Sequence, residues 1–515
     1  MKKPLRITRT RHPVLLSLDA RAWLERLSRD SGRRIRLGDV PSEAIEAILA
    51  SGPDLVWLTG VWQIGAAART VARKRYEGWP TGPGDLGADD LVGSPDAIAD
   101  YIVPRALGGD EGLARLRLQL AVHGVGLVLD FVPNHTSVDH RWVRDHPDWY
   151  VNADREQAER EPGAWFSVRV DGRTRWIAHG RGNGLPPMPE TAQLDYRVAD
   201  LRQTMIDELL HIALRCDGVR VDMAMLALDD VFRASWQHDS VSPQDGDAPA
   251  GEFWWHAIHT ARKRYPGLLM IGEAYAGTEH RLQQLGFDQT YDKVLLDRLR
   301  TGPGSAVAAH LRADITYQSR SLRYLENPDE PRVTESLPPA RQRSAALVTA
   351  TVPGMLLLHD GQLEGARIQT PVEYGRRPDE PVDPAIRGFY DRLLRAIDSD
   401  AFRQGSATRV EPRAVWEGDP TNTSFVVWMW FGPRGSVRLA VANLGPTTGR
   451  CFVPLQLPDF AGRSIVFEDL LSDARYERDG DDLIHRGLFL ELPPDGYHLF
   501  RVLGHRPRPA NGEAE

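Results

Sequence analysis

The sequence predicts an α/β protein: a (β/α)8 barrel with a subdomain inserted after its third strand and a C-terminal antiparallel β domain. Three observations carry this expectation. Eight short apolar runs, separated by helix-length segments, recur from the N-terminus to about residue 400, which is the rhythm of a parallel sheet wound with crossover helices. Between the third and fourth runs the spacing breaks, at roughly residues 136–195, in a stretch rich in Trp, His, Pro, Gly and Arg without clear periodicity. After about residue 405 the pattern changes to alternating β-rich pieces divided by Gly and Pro turns.

The barrel strands are expected, in order, at "VLLSL" (Val14–Leu18), "DLVWLTG" (Asp54–Gly60), "GVGLVLDFV" (Gly124–Val132), "DGVRVDM" (Asp217–Met223), "GLLMIGEA" (Gly267–Ala274), "DQTYDKVLL" (Asp288–Leu296), "SLRYLEN" (Ser321–Asn327) and "GMLLLHD" (Gly354–Asp360). The segments Glu111–Gly124 and Asp200–Cys216 place apolar residues three to four apart, as helices packed on one side do. These patterns put the barrel at 1–135 and 196–404 and the inserted subdomain at 136–195. A C-terminal β-sandwich follows at 405–505, built on "SFVVWMWF", "SVRLAVANL", "SIVFEDLL" and "YHLFRVL". The last residues, 506–515, have no apolar content to bury and read as a flexible tail.

At 515 residues, 42% hydrophobic and 26% charged, the chain has the composition of a folded globular protein. A net charge of −8 gives no electrostatic reason to bind nucleic acid or anionic membranes. The basic run Arg69–Pro80 is read as a solvated helix end or loop rather than a binding patch. Cys216 and Cys451 imply no disulfide framework. The apolar run near the N-terminus, Val14–Leu18, is too short for a signal peptide, and no stretch is long enough to span a bilayer. A cytoplasmic protein with a neutral ligand is expected; the oligomeric state is left open.

Four strand candidates end in polar residues: "DFVPNH" (Asp130–His135), "DGVRVDMAM" (Asp217–Met225), "IGEAYA" (Ile271–Ala276) and "LENPDE" (Leu325–Glu330). Singly, such residues are common in turns and helix caps. In a barrel, however, C-terminal strand ends converge on one mouth, where barrel enzymes keep their chemistry. Arg220 and Asp222 lie two apart on a strand and so share a face, and a buried ion pair costs more than it returns unless it serves something. Asp222, Glu273 and Asp329 make three carboxylates from three strands, the set that glycoside hydrolysis uses to attack, to protonate and to hold the sugar. That chemistry needs no cofactor.

In this order and at these strand ends, the four segments resemble the conserved regions of the α-amylase superfamily, glycoside hydrolase family 13. The resemblance covers nearly the whole chain. It implies a retaining enzyme in which Asp222 is the nucleophile, Glu273 the general acid and later base, and Asp329 the third carboxylate that grips sugar hydroxyls. It further implies that Arg220 orients Asp222, that His135 contacts the sugar, and that Asp130 supports Arg220. "TAQLDY" (Thr191–Tyr196) resembles the short motif closing the inserted subdomain, and Asn134 resembles a ligand in calcium-binding members, although no complete calcium set stands out.

The chain departs from the family pattern at several places. Pro328 stands where the family usually has a histidine, a hydrogen-bond donor to the sugar whose loss weakens activity without abolishing it. Asp96, in "GSPDAIADY" (Gly93–Tyr101), stands where an aromatic residue usually stacks on the same sugar. "MAML" follows Asp222 where starch-cutting members have a Lys-His pair, which favours small α-glucosides or short α-glucooligosaccharides. His359 and Asp360 follow the eighth strand and fit either the mouth or a plain turn, and Arg376 and Arg377 are read as solvated loop arginines by default, with reach to an acceptor or phosphate as the alternative. The expected function is a retaining α-glycosidase or transglycosylase. The alternatives are a sucrose-phosphorylase-like transfer to phosphate, and a weakly active or inactive barrel that binds carbohydrate.

Overall fold

The computed structural model describes residues 12–77, 83–182, 184, 186–236, 251–455 and 457–507. Eight parallel strands close a barrel: β1 (Val14–Asp19), β2 (Leu55–Thr59), β3 (Gly126–Phe131), β4 (Gly218–Val221), β5 (Leu269–Gly272), β6 (Gln289–Tyr291), β7 (Ser321–Arg323) and β8 (Met355–His359). Each strand pairs with its neighbours in sequence, and β8 returns to β1 with Leu16 beside Leu358. Strands β2 and β8 are buried at every position, because barrel interior and helix layer cover both faces, and this is why they read as unbroken apolar runs. The expected crossover helices form at Gly109–Val122, which buries Leu113, Leu116 and Leu120, and at Ala199–Ala213.

Two strands are shorter than their apolar runs. In "DQTYDKVLL" only Gln289–Tyr291 is extended; the Asp292 side chain accepts from the Leu295 N–H and caps a helix, Lys293–Thr301, that takes the remaining apolar residues. In "SLRYLEN" pairing stops at Arg323. Arg323 is buried and bonds to the Gln318 side chain and the Pro353 carbonyl, with its Nε 3.5 Å from Asp292 Oδ2. This buried arginine serves the lower barrel rather than the mouth.

The inserted segment carries a sheet that its sequence did not announce. Trp165–Val170 and Arg173–Ala178 form an antiparallel hairpin extended by Asn152–Ala153. Its turn is Asp171-Gly172, both left-handed, with φ of 48° and 75°, the Asp-Gly signal of a two-residue hairpin. Nothing lies within 4 Å of a Cβ built on Gly172, so Gly172→Ala tests backbone conformation alone. It is expected to cost about 1 kcal/mol, as a non-glycine residue in the left-handed region does, read as a lower urea midpoint with an unchanged slope.

The C-terminal region holds β9 (Ser406–Arg409), β10 (Phe425–Phe431), β11 (Val437–Asn443), β12 (Gly449–Val453), β13 (Arg463–Asp469), β14 (Arg475–Asp479), β15 (Leu488–Leu492) and β16 (Tyr497–Pro507). Six of them make an antiparallel sheet in the order β9-β10-β11-β16-β13-β14, and β12 pairs with β15. Alternation sends Val427, Met429 and Val441 into a core shared with Cys451 and Leu490, and sends Val426, Trp428 and Trp430 onto the barrel. The Trp430 indole donates to the Thr351 carbonyl at 2.7 Å. Strand β16 runs to Pro507, past the expected start of the tail, and the rest of that tail lies outside the described residues. Both cysteines are buried and unpaired. Among the described residues no helix is long and apolar enough to cross a membrane.

Candidate active site

The barrel mouth is assembled by carrying the strand ladder one residue beyond each strand end. The Asp222 N–H donates to the Phe131 carbonyl at 2.9 Å and the Glu273 N–H to the Val221 carbonyl at 3.0 Å. Asp130, Arg220, Asp222 and Glu273 are thereby held on one rim. Arg220 is its centre. One terminal nitrogen lies 2.8 Å from Asp222 Oδ1 and 3.7 Å from Asp130 Oδ1, and the other lies 2.7 Å from Glu273 Oε2. The guanidinium also sits over the Trp57 ring, 5.0 Å from its centroid, and the Trp57 indole donates to Asp130 at 2.9 Å. A planar guanidinium suits this arrangement because it presents a rigid fork of donors and stacks on an aromatic face.

Backbone conformation completes the hold on Glu273. Met223, just past the end of β4, is left-handed with φ 41°. Such a residue is uncommon outside glycine and marks sites where the surroundings enforce it. Here it turns the Met223 N–H onto Glu273 Oε2 at 2.8 Å. Tyr275 donates its hydroxyl to Glu273 Oε1 at 2.6 Å, so both oxygens of this carboxyl are engaged.

Burial raises the pKa of Glu273; Arg220 opposes the rise and the Asp222 charge adds to it. Asp222 is raised for the same first reason, with Arg220 opposing and Asp329 adding. Burial carries Asp130 up to about 7. Asp329 opens onto the cleft, and the surrounding protein together with Glu273 brings it to about 6. A buried arginine would ordinarily lose its proton more easily, but the Glu273, Tyr291, Asp222 and Asp130 groups hold it well above the usual arginine value.

The loop after β7 explains how Asp329 is presented. The Asn327 Oδ1 accepts from the N–H groups of Asp329 at 2.9 Å and Glu330 at 2.8 Å, a turn in which Pro328 occupies the second position, where its fixed φ is favoured. Pro328 and Asp329 both line the cleft. The proline stiffens this turn and offers the cleft no donor. Pro328→His, which restores the missing donor, is expected to raise kcat/KM on p-nitrophenyl α-glucoside by up to about 10²-fold, checked by steady-state kinetics with the thermal midpoint as a control for the turn.

Asp96, Asp130, Arg220, Asp222 and Asp329 line one cleft, together with Trp57 and Arg377. Glu273 joins it through Arg220. Asp96 lies two residues before a short strand, Ile98–Asp100, paired with Gln63–Ile64, and Tyr101 anchors that strand by hydrogen bonds to the Val132 backbone. His135 opens a strand, His135–Ser137, that pairs with Thr191–Gln193 from the "TAQLDY" segment. It is 4% exposed and its Nε2 meets no hydrogen-bond partner. Burial lowers its pKa to about 4 against the pull of the adjacent Asp96 carbonyl, so it is neutral. The hydroxyls of Thr370, which lines the cleft, and of Tyr324, whose ring packs on Tyr291, are also buried without partners.

The default reading of two arginines needs correction. Arg377 is not a solvated loop arginine: it lines the cleft, meets His359 Nε2 at 2.9 Å and pairs with Asp360 at 3.1 Å. Arg376 is bound as well, to Asp85 at 2.7 Å and Asp90 at 3.1 Å. Both were misjudged because their partners lie in distant segments. The described part of the basic run is a helix, Ala66–Arg75, whose last arginine pairs with Glu190 and Glu373; residues 78–80 lie outside the described residues. His359 faces the mouth and bonds to Ser17 Oγ at 2.7 Å, and burial followed by the Arg377 charge lowers its pKa well below the usual value.

Asn134 Oδ1 accepts from Gln193 at 3.0 Å, and among the described residues no three His, Cys, Asp or Glu side chains converge on a metal-sized site. Sequence reasoning missed Trp57, Tyr275 and Arg377 as members of the site. Tyr275 was legible in principle, two residues beyond Glu273 in "IGEAYA". Arg377 had no local signal.

The fold is an eight-stranded parallel barrel with a carboxylate-lined mouth, an insertion after β3 and an antiparallel C-terminal region. Residues 97–300 match the family model described as "Alpha amylase, catalytic domain". It is 23% identical over 480 residues to the alpha-1,4-glucan:maltose-1-phosphate maltosyltransferase of Rhodospirillum rubrum, a match that takes in 89% of this chain but only 62% of that protein's length. Among solved structures, a noncanonic maltogenic alpha-amylase from Thermotoga neapolitana superposes with a TM-score of 0.63 at 18% identity, over 96% of this chain and 99% of that one. An alpha-amylase from Lactobacillus plantarum superposes with a TM-score of 0.62 at 21% identity, with the same coverage.

Proposed function

We propose that this protein acts on O-glycosyl bonds as a retaining α-glycosidase or transglycosylase of small α-glucosides and short α-glucooligosaccharides. The observation that carries the reading is the bridging of Asp222 and Glu273 by the two terminal nitrogens of Arg220, at 2.8 and 2.7 Å. Two carboxyl groups that share one guanidinium and lie within hydrogen-bonding reach of each other leave no room for the water that an inverting enzyme places between carboxylates roughly 6.5–9.5 Å apart. Asp222 then attacks the anomeric carbon while Glu273 gives its proton to the leaving oxygen. In the second half, Glu273 takes a proton from water or an acceptor hydroxyl, which displaces Asp222.

The burial of Glu273 suits the first half, since it favours the protonated form that an acid must start from. Asp329 grips the sugar hydroxyls, and Asp130 and Trp57 fix Arg220. The test is the anomeric configuration of the first-formed product, followed by proton NMR: an α product supports the mechanism, and a β product sinks it.

A second reading is favoured by one observation, the name of the Rhodospirillum relative, an enzyme of maltose 1-phosphate. In that reading, the chain transfers a glycosyl group from or to phosphate. Incubating the protein and an α-glucoside with inorganic phosphate separates the two: sugar 1-phosphate marks transfer, and free sugar at an unchanged rate marks hydrolysis. The binding-only alternative predicts neither product.

A further inference from the structure

After β8 the chain does not turn straight into its helix. Residues 360–383 carry no helix or strand, and a connection of that length inside a compact domain is uncommon unless it covers or lines a site. Thr370, Pro371, Val372, Tyr374 and Arg377 of this strap line the cleft. Its ends are drawn together where the Asp383 N–H donates to the Glu364 carbonyl at 2.8 Å.

The strap runs from β8 past the end of β1 and is fastened to the chain between β2 and β3. The Val92 N–H donates to the Glu373 carbonyl and the Gly375 N–H to the Asp90 carbonyl, both at 2.8 Å, around an antiparallel bridge between Leu91 and Tyr374. The Tyr374 side chain joins Leu86 and Leu91 in a small apolar cluster. Beside it, the Glu373 carboxylate is 8% exposed and meets Arg75, which also holds Glu190 of the inserted segment at 3.2 Å. Arg376 reaches Asp85 at 2.7 Å and Asp90 at 3.1 Å. Backbone bonds, a buried ion pair and an apolar cluster together make this strap a wall of the cleft rather than a loose loop.

Barrel order decides which end that wall closes. In a ring of eight strands β1 stands across from β5. Glu273 follows β5 and, as the acid, faces the leaving group, so the ring that bonds to Asp222 reaches back toward β1 and β8. There Arg377 meets His359 at 2.9 Å and Asp360 at 3.1 Å, and Asp19, at the end of β1, feels the same charge. C4 lies across a pyranose ring from C1. A further sugar on that carbon would have to pass through the wall.

We propose that the strap makes the mouth a blind pocket one ring deep, so that the enzyme removes a single sugar from the non-reducing end of its glycoside and does not cut inside a chain. The inference rests on the cleft being the glycosyl-transfer site argued above. Glu373 and Arg376 act in it as positioning residues, through the strap.

The test compares kcat/KM for p-nitrophenyl α-glucoside and its 4-O-methyl ether, and identifies the first products from p-nitrophenyl α-maltoside by chromatography. The ether is expected to be about 10–200-fold poorer, the scale of one extra carbon in a closed pocket, and no maltose should appear among the first products of the maltoside. In Arg376→Ala combined with Glu373→Gln the parent glucoside should still be cleaved, and the penalty on the ether should shrink about 10-fold; Arg376→Ala alone gives the reading if the double variant does not fold. Maltose released together with p-nitrophenol, or an ether accepted within about threefold of its parent, overturns the blind pocket and leaves the proposed function standing. A penalty unchanged in the folded variants overturns the role of the strap. No turnover of any glycoside overturns the inference and the proposed function together.

Discussion

Asp222→Asn should lower the turnover of any α-glucoside the protein accepts by on the order of 10⁴-fold or more, the scale seen when a covalent nucleophile is removed. The change is nearly isosteric and leaves the rest of the rim in place, since Arg220 still holds Glu273 at 2.7 Å and faces Asp130 at 3.7 Å. It also takes one negative charge away from a crowded set, so the variant should fold at least as well as the wild type. The thermal midpoint checks that. What is lost is the attacking oxygen, because an amide cannot form the glycosyl ester. The smaller Asp222→Gly leaves a gap facing the anomeric carbon, and added azide should restore release of p-nitrophenol from an activated α-glucoside, yielding a β-glycosyl azide. Undiminished turnover in Asp222→Asn, or azide rescue that gives the α product, would remove Asp222 from the nucleophile's place.

The parts of the site that could be read from sequence were those whose signal is local and periodic. Arg220 and Asp222 announce themselves because a charged pair two apart in a strand has no apolar explanation, and the four polar strand ends fall in order because each follows a buried apolar run. Arg377 is different. It reaches the cleft through His359 and Asp360, yet nothing within "YGRRPDEP" distinguishes it from the solvated arginines common in loops; its place is decided by the return of the chain after β8. Trp57 failed for the opposite reason, as it sits in a strand where any large apolar residue is expected, and only its indole contact with Asp130 and its ring beneath Arg220 give it a second task.

The errors in the fold have the same origin. "DQTYDKVLL" reads as one apolar run, but a side chain able to cap a helix sits inside it, and Asp292 ends the strand where propensity alone would continue it. The Trp165–Ala178 hairpin was hidden because its second strand does not alternate, although Phe166, Val168 and Val170 alternate with exposed Ser167 and Arg169 in the first. Its Asp171-Gly172 turn was the readable sign. Pro328 was legible as a missing histidine, whereas its structural task, the second position of the Asn327 turn that presents Asp329, emerges only from the bonds that Asn327 makes.

Arg220→Met should be the most damaging single change to the folded state. The arginine is buried with 6% of its side chain exposed and, among the described residues, is the one cation in contact with Asp130, Asp222 and Glu273. Removing one partner of such a set strands charge and typically costs about 3–5 kcal/mol. The loss should depend on pH, and its sign can be worked out. Burial already raises the folded-state pKa values of Asp222, Glu273 and Asp130, the last to about 7, and in each case Arg220 opposes the rise. Without Arg220 they rise further. A carboxyl whose folded pKa lies above its unfolded value favours the folded state below the unfolded pKa and loses that contribution as the pH climbs through the folded one. The gap in thermal midpoint between wild type and Arg220→Met should therefore be small near pH 5 and widen toward pH 8, where the wild type keeps its carboxylates charged against Arg220 and the variant cannot. Arg220→Lys returns the charge without the fork or the stacking on Trp57, so it should recover part of the stability and little of the activity. A midpoint gap that stays constant from pH 5 to pH 8 would mean that Arg220 acts by packing alone, and that the carboxylates of the mouth are not held by its charge.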